Sequence, residues 1–181
     1  MTYKEFLESK IELATDSGFI VDRKDINPAL KPHQADAVAW ALKGGRRALF
    51  ESFGLGKTVQ EIEFCHLAAE HENGRALIVL PLGVKQEFTR DAVEVLGYEK
   101  PEYCRTMEEV EQSKSQIVLT NYERVRDGDI RPDYFVATSL DEASVLRVLA
   151  ARHTRRFWIN SRMYRISWLQ RPLHHRTGTK N

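Results

Sequence analysis

The sequence predicts an α/β domain with a mostly parallel sheet, on three observations. Short apolar or β-branched runs alternate with stretches of helical periodicity along most of the chain. One of these runs, Ala76 to Leu80 (ALIVL), is apolar throughout and closed by Pro81, as a strand covered on both faces requires. Between an earlier run and the helix that follows it lies Gly54-Leu55-Gly56-Lys57-Thr58, a glycine-rich turn of the kind that joins strand to helix.

The elements follow in order. Tyr3, Phe6, Leu7, Ile11 and Ala14 share one helical stripe, with Gly18 beyond as a stop. A second helix starts near Pro32 and ends at Gly44-Gly45. Arg46 to Phe50 reads as a short strand, and after the glycine turn Val59, Ile62, Cys65 or His66, and Ala69 line one face of a helix. The Ala76–Leu80 strand leads into a helix carrying Val84, Phe88, Ala92 and Leu96, capped by Gly97. Ile117 to Thr120 is a further strand, and Tyr134 to Leu140 another, running straight into Asp141-Glu142. The chain has no internal repeat and no low-complexity segment.

With 181 residues there is room for one domain of ordinary size, or one domain and a tail. An apolar share of 42% and a charged share of 29% allow a buried core and exclude wholesale disorder. No apolar run approaches membrane-spanning length, and the N-terminal MTYKEFLESK is charged where a secretory signal needs apolar residues. The expectation is an intracellular, cytoplasmic protein. Cys65 and Cys104 have neither disulfide density nor metal spacing and read as buried thiols. His66, Glu70 and His71 miss the HExxH zinc pattern and read as a solvated helix end.

The net charge of +1 hides a split. Residues 147–181 hold nine Lys and Arg and no acid, while the remaining 18 basic residues face all 26 acidic ones. Two of the three tryptophans also fall in this tail. A basic, aromatic-bearing tail suits a nucleic-acid arm; it also suits a segment foreign to the rest of the chain.

The glycine turn has a definite chemical use. Glycines at 54 and 56 let successive N–H groups converge at the positive end of the helix that begins there, a nest for polyphosphate. Lys57 is placed to reach the β- and γ-phosphates of a nucleotide such as ATP, and Thr58 to offer its hydroxyl to Mg²⁺. The full pattern GxxxxGK[ST] begins with glycine, where this chain has Glu51. Asp141 and Glu142, at the carboxyl end of a parallel strand, fall on the rim where open α/β sheets bind ligands. There Asp141 can hold Mg²⁺ and Glu142 can orient and polarise water.

Taken together, LKPHQ (Leu30–Gln34), FGLGKT (Phe53–Thr58), VLPLG (Val79–Gly83), LTNYE (Leu119–Glu123) and LDEAS (Leu140–Ser144) resemble the first RecA-like lobe of superfamily 2 helicases and translocases, especially Snf-type and phage-borne DEAD/DEAH-like members. The resemblance covers residues 30–146 and leaves 1–29 as an N-terminal helical extension. It implies a RecA-like P-loop fold and ATP hydrolysis, through Lys57, Asp141 and Glu142, coupled to movement on or opening of DNA. It also implies that Gln34 contacts adenine. The loop after Pro81 and the Thr120-Asn121-Tyr122 segment would lie toward nucleic acid.

The family pattern stops after residue 146. A strand leading to a Ser/Thr-Ala-Thr motif, and a second lobe with an arginine finger, cannot be read. Joining the last base of each codon to the first two of the next permits SFGSKTYQTFLDKF from Arg147 and FVATATPS across Ile166 to His174, the missing motif in its expected place. Residues 147–181 therefore read as a frameshift product, and the lobe as truncated and inactive alone. The lost strand is expected between those ending at the phosphate loop and at Asp141-Glu142, so the sheet would lack its middle and be marginally stable unless Tyr164 to Leu169 fills the gap. Two other readings stay open: a nucleotide-dependent binding module that docks a separate second-lobe chain, and a non-functional remnant of prophage type.

Overall fold

The computed structural model describes residues 16–52 and 54–142, together with the backbone of 164–170. The helix expected over Tyr3–Ala14 and the rest of the basic tail lie outside these residues.

Helix α1 (Pro32–Gly44) begins where Pro32 supplies a helical φ and the Lys31 N–H finds the Gln34 Oε1 at 2.8 Å; Gly45, at φ 72, closes it. Its last carbonyls are not left to solvent. Ser17, Gly18 and Phe19 donate their N–H groups to Gly44, Lys43 and Leu42. Gly18, expected only as a helix stop, is what allows this approach, since a Cβ there would lie 1.7 Å from the Leu42 oxygen.

Strand β1 (Arg46–Glu51) leads through the glycine turn into α2 (Lys57–His71), and β2 (Ala76–Val79) follows. Alternate residues of β2 serve opposite faces. Ala76 and Ile78 pack with Val38, Ile62, Phe64 and Phe88 beneath α1 and α2, while Leu77 and Val79 pack with Val110, Val125 and Phe135 on the other side. All four residues of β2 are fully buried, as their unbroken apolar run requires.

The helix expected over Val84 to Leu96 is only partly α-helical. A 3-10 turn (Leu82–Val84) opens it, α3 (Lys85–Arg90) continues it, and a π turn (Asp91–Val95) ends it before Gly97 at φ 70. The wider turn carries the Leu96 N–H to the Asp91 carbonyl and sets Leu96 in the core with its own carbonyl on the Asn27 Nδ2 at 2.8 Å. Edge strand β3 (Glu102–Tyr103), helix α4 (Met107–Gln112), strand β4 (Ile117–Thr120) and helix α5 (Tyr122–Asp127) come next. The strand expected from Tyr134 begins only at Ala137, because Pro132 starts a 3-10 turn through Tyr134; β5 is Ala137–Leu140.

The six strands are parallel in the order β1-β6-β5-β2-β4-β3. Strand β6 (Tyr164–Gln170) lies between β1 and β5, with Ile166 opposite Arg47 on one side and Ser139 on the other. The middle of the sheet is thus filled by the exception the sequence allowed, the Tyr164–Leu169 segment, and the facing backbone groups of β1 and β5 are paired. One part of the sheet stays bare. Arg46, Ala48 and Phe50 on one face of β1 are exposed, Phe50 by 57%.

Because β6 is bonded on both sides, every backbone N–H in its interior serves a neighbour. Ile166→Pro removes one such donor and is expected to cost about 3 kcal/mol or more. Denaturant unfolding checks this, and an unchanged midpoint would place residues 164–170 outside the sheet.

Candidate functional site

Parallel strands end on one rim of the sheet, and the sequence places its chemical groups at those ends. The turn after β1 carries Gly54 at φ 80 and Gly56 at φ 72, conformations that side chains rarely adopt. A Cβ on Gly56 would also meet the Gln34 Nε2 at 2.3 Å. Gly56 precedes α2, which has no side-chain cap on its first turn among the described residues, so the helix offers its N-terminal N–H groups to whatever fills the turn.

The turn is held from beneath. The Leu55 carbonyl accepts from the Gln34 Nε2 at 2.8 Å and from the Gln60 Nε2 at 3.4 Å. Gln60 also donates to the Gly56 oxygen at 3.4 Å and to the Glu51 Oε2 at 2.9 Å. Glu51, the departure from the glycine of the full pattern, therefore acts as an anchor for the amide beneath the turn. Gln60 was not singled out in the sequence, although its place one turn into α2 is what lets it reach the loop.

Across β6, the Asp141 N–H bonds the Val79 carbonyl at 3.0 Å and Glu142 follows at φ 52, a left-handed conformation that costs a non-glycine residue about 1–2 kcal/mol. A cavity of about 450 Å³ joins the two clusters. Gly54, Gly56, Lys57 and Thr58 form one wall, Asp141 and Glu142 a second, and Val84, Glu87 and Phe88 a third. Burial pushes the Asp141 carboxyl up to about 6; Glu142 beside it adds to the rise and Lys57 opposes it. Thr58 and Asp141 bring two hard oxygen donors to the cavity, a set that fits Mg²⁺, which keeps waters and phosphate oxygens for its remaining positions. No cluster of three or more His, Cys, Asp or Glu suited to hold a metal alone occurs among the described residues.

Gln34 does not line this cavity. Its carboxamide accepts from Lys31 and donates to Leu55, so in this structure it ties α1 to the turn. Of the Thr120-Asn121-Tyr122 segment, only Asn121 is not buried. The Thr120 hydroxyl is buried on the Cys104 carbonyl at 2.9 Å, and Tyr122 is buried under the sheet. Asn121 accepts from the Tyr103 hydroxyl at 2.9 Å, and the Lys85 Nζ stands 5.0 Å from the centre of the same ring. Lys85, Gln86, Thr89 and Arg90 line a second cavity of about 790 Å³, so α3 is a wall shared by both.

Helix α2 buries two carboxyls with different fates. Glu63 accepts from the Tyr98 hydroxyl at 2.5 Å and the Asn27 N–H at 2.8 Å, which pins two loops to the helix. Glu61, one turn beyond Lys57, is fully buried and neither oxygen has a hydrogen-bond partner of ordinary geometry; the Ser139 hydroxyl beside it offsets only part of the cost. Burial, then Asp141, pushes its carboxyl well above the usual range. The expected solvated helix end is also partly packed: His66 stacks on Tyr98 at 3.8 Å and His71 on Phe19 at 3.7 Å. Both cysteines are buried thiols, as expected.

Glu61 stays protonated in the folded chain at pH values where the unfolded chain ionises it, so its contribution to stability falls as pH rises above about 4.5. Glu61→Gln removes that titration. The variant is expected to match the parent near pH 4 and to exceed it at pH 8 by at least 2–4 °C in Tm, roughly the shift that 1 kcal/mol gives in a chain of this size. Thermal unfolding across that pH range checks it, and parallel curves would contradict a buried neutral carboxyl.

No protein-family model and no curated protein sequence matches the chain. Solved structures do. The fold is similar to that of the Sulfolobus solfataricus SWI2/SNF2 ATPase core in complex with dsDNA, at 21% identity and a TM-score of 0.63, over 87% of this chain and 35% of that one. It is also similar to the UvsW helicase of bacteriophage T4, at 17% identity and a TM-score of 0.59, over 93% of this chain and 60% of that one. The chain thus spans about a third of the Sulfolobus core, and its α/β architecture is that of a RecA-like lobe.

Proposed function

We propose that the chain is the nucleotide-binding lobe of a DNA-directed ATPase of the helicase and translocase type. One observation supports this reading above the rest: the glycine turn with Lys57 and Thr58, and the acid pair Asp141 and Glu142, line a single cavity although 83 residues separate Thr58 from Asp141. A structural ion pair would not need a capless helix end, two left-handed glycines and a carboxylate rim in one place.

In this reading the N–H groups of the turn and the Lys57 ammonium bind the triphosphate of ATP, and Thr58 and Asp141 hold Mg²⁺. Magnesium, when bound, neutralises charge shared by the β- and γ-phosphates. Glu142 orients the attacking water and accepts its proton. By the family resemblance Gln34 would contact adenine; here its buried carboxamide is held by Lys31 and Leu55 and would have to turn outward to do so. DNA follows the rim formed by Lys85, Tyr103 and Asn121, where a cation and an aromatic ring meet. Charge in the transition state calls for an arginine from a second lobe or another chain, worth on the order of 10³–10⁵ in rate.

The isolated chain is therefore expected to bind Mg-ATP but to turn it over weakly, with or without DNA. Lys57→Ala should weaken binding of a fluorescent ATP analogue about ten- to a hundredfold, the scale of one or two charge-assisted phosphate contacts. Robust DNA-stimulated hydrolysis by the parent would contradict the need for a second lobe, and unchanged binding in Lys57→Ala would contradict the site. Residues 147–181 are, in the same reading, translated out of phase. Sequencing the encoding nucleic acid across codons 146 to 150 tests that, and in-frame relatives sharing this tail would refute it.

A further inference from the structure

Glu87 belongs to neither cluster that the sequence points to, yet it lines the cavity they share. It stands on α3, 29 residues from Thr58, and its Oε1 lies 3.5 Å from the Thr58 Oγ1, which donates to it. Phe88, buried at 2% exposure, anchors α3 in the core and so sets the adjoining Glu87 backbone at the rim, while the Glu87 side chain itself is exposed.

The chemistry of a hydroxyl gives this contact its meaning. A threonine oxygen has one proton and two lone pairs. If the proton is committed to a carboxylate, both lone pairs remain available to a ligand in the cavity that Thr58 shares with Asp141. Donation to an anion also makes the oxygen a stronger ligand, as outer partners do for metal ligands generally. The bond is long, as expected of a site that tightens only when its ligand arrives.

We propose that Glu87 is a positioning residue for the metal–nucleotide complex: by accepting the Thr58 proton it aims that hydroxyl at Mg²⁺ and strengthens it as a ligand. This rests on the nucleotide reading above. A carboxylate near a triphosphate opposes binding of the nucleotide alone, so the two effects of Glu87 separate by metal. Without Mg²⁺ its removal leaves nucleotide binding unchanged or slightly tighter; with Mg²⁺ its removal raises the metal concentration needed.

The test is a titration of the full chain with Mg²⁺ in the presence of a fluorescent ATP analogue, and the same binding in EDTA. Glu87→Ala is expected to raise the half-saturating Mg²⁺ concentration roughly tenfold, at the low end of what loss of an outer partner does to a metal site. Glu87→Gln, which keeps an acceptor oxygen, should recover part of this. Because Glu87 acts through Thr58, adding Glu87→Ala to Thr58→Ala should cause little further change. An unaltered Mg²⁺ requirement in Glu87→Ala, beside a parent that binds Mg-nucleotide, overturns this proposal and leaves the nucleotide site standing. A parent that binds no nucleotide at all overturns both.

Discussion

Strands β1 and β5 sit two places apart in the sheet, about 10 Å, because β6 hydrogen-bonds to both. That spacing sets the width of the cleft between the turn after β1 and the acid pair after β5. The geometry of the rim is thus a property of sheet order.

The electrostatics of the cleft follow from the same arrangement. Lys57 faces Asp141, Glu142 and Glu87, with Glu61 buried behind. Such an excess of acid over base is costly in a closed core and lies here at an open rim. Burial, with Glu142 beside it, raises the Asp141 carboxyl to about 6, and Lys57 across the cleft opposes the rise. Glu61 lies deeper, and its burial behind the glycine turn favours the neutral form of its carboxyl.

Much of this was readable in the chain. The boundaries of α1 rest on Pro32 and Gly45, strands β2 and β4 on their apolar and β-branched runs, and the turn before α2 on glycine spacing; all are local signals. Short helices were harder. Thr106 caps α4 by accepting the Glu109 N–H at 3.3 Å, and the T-x-x-E spacing was the only cue for a helix of six residues. The π turn was invisible because Val84, Phe88, Ala92 and Leu96 keep a helical spacing whether or not the last turn widens. Gln60, Glu61 and Glu87 were illegible for a deeper reason: their roles depend on what the sheet brings beside them, which no window of sequence contains.

The double hold on the Leu55 carbonyl, from Gln34 and Gln60, has a kinetic corollary. On the proposed reading, a turn already shaped before a nucleotide arrives would lose little conformational freedom on association. Capture would then need no slow remaking of the loop, and differences among ligands would fall on how long each stays.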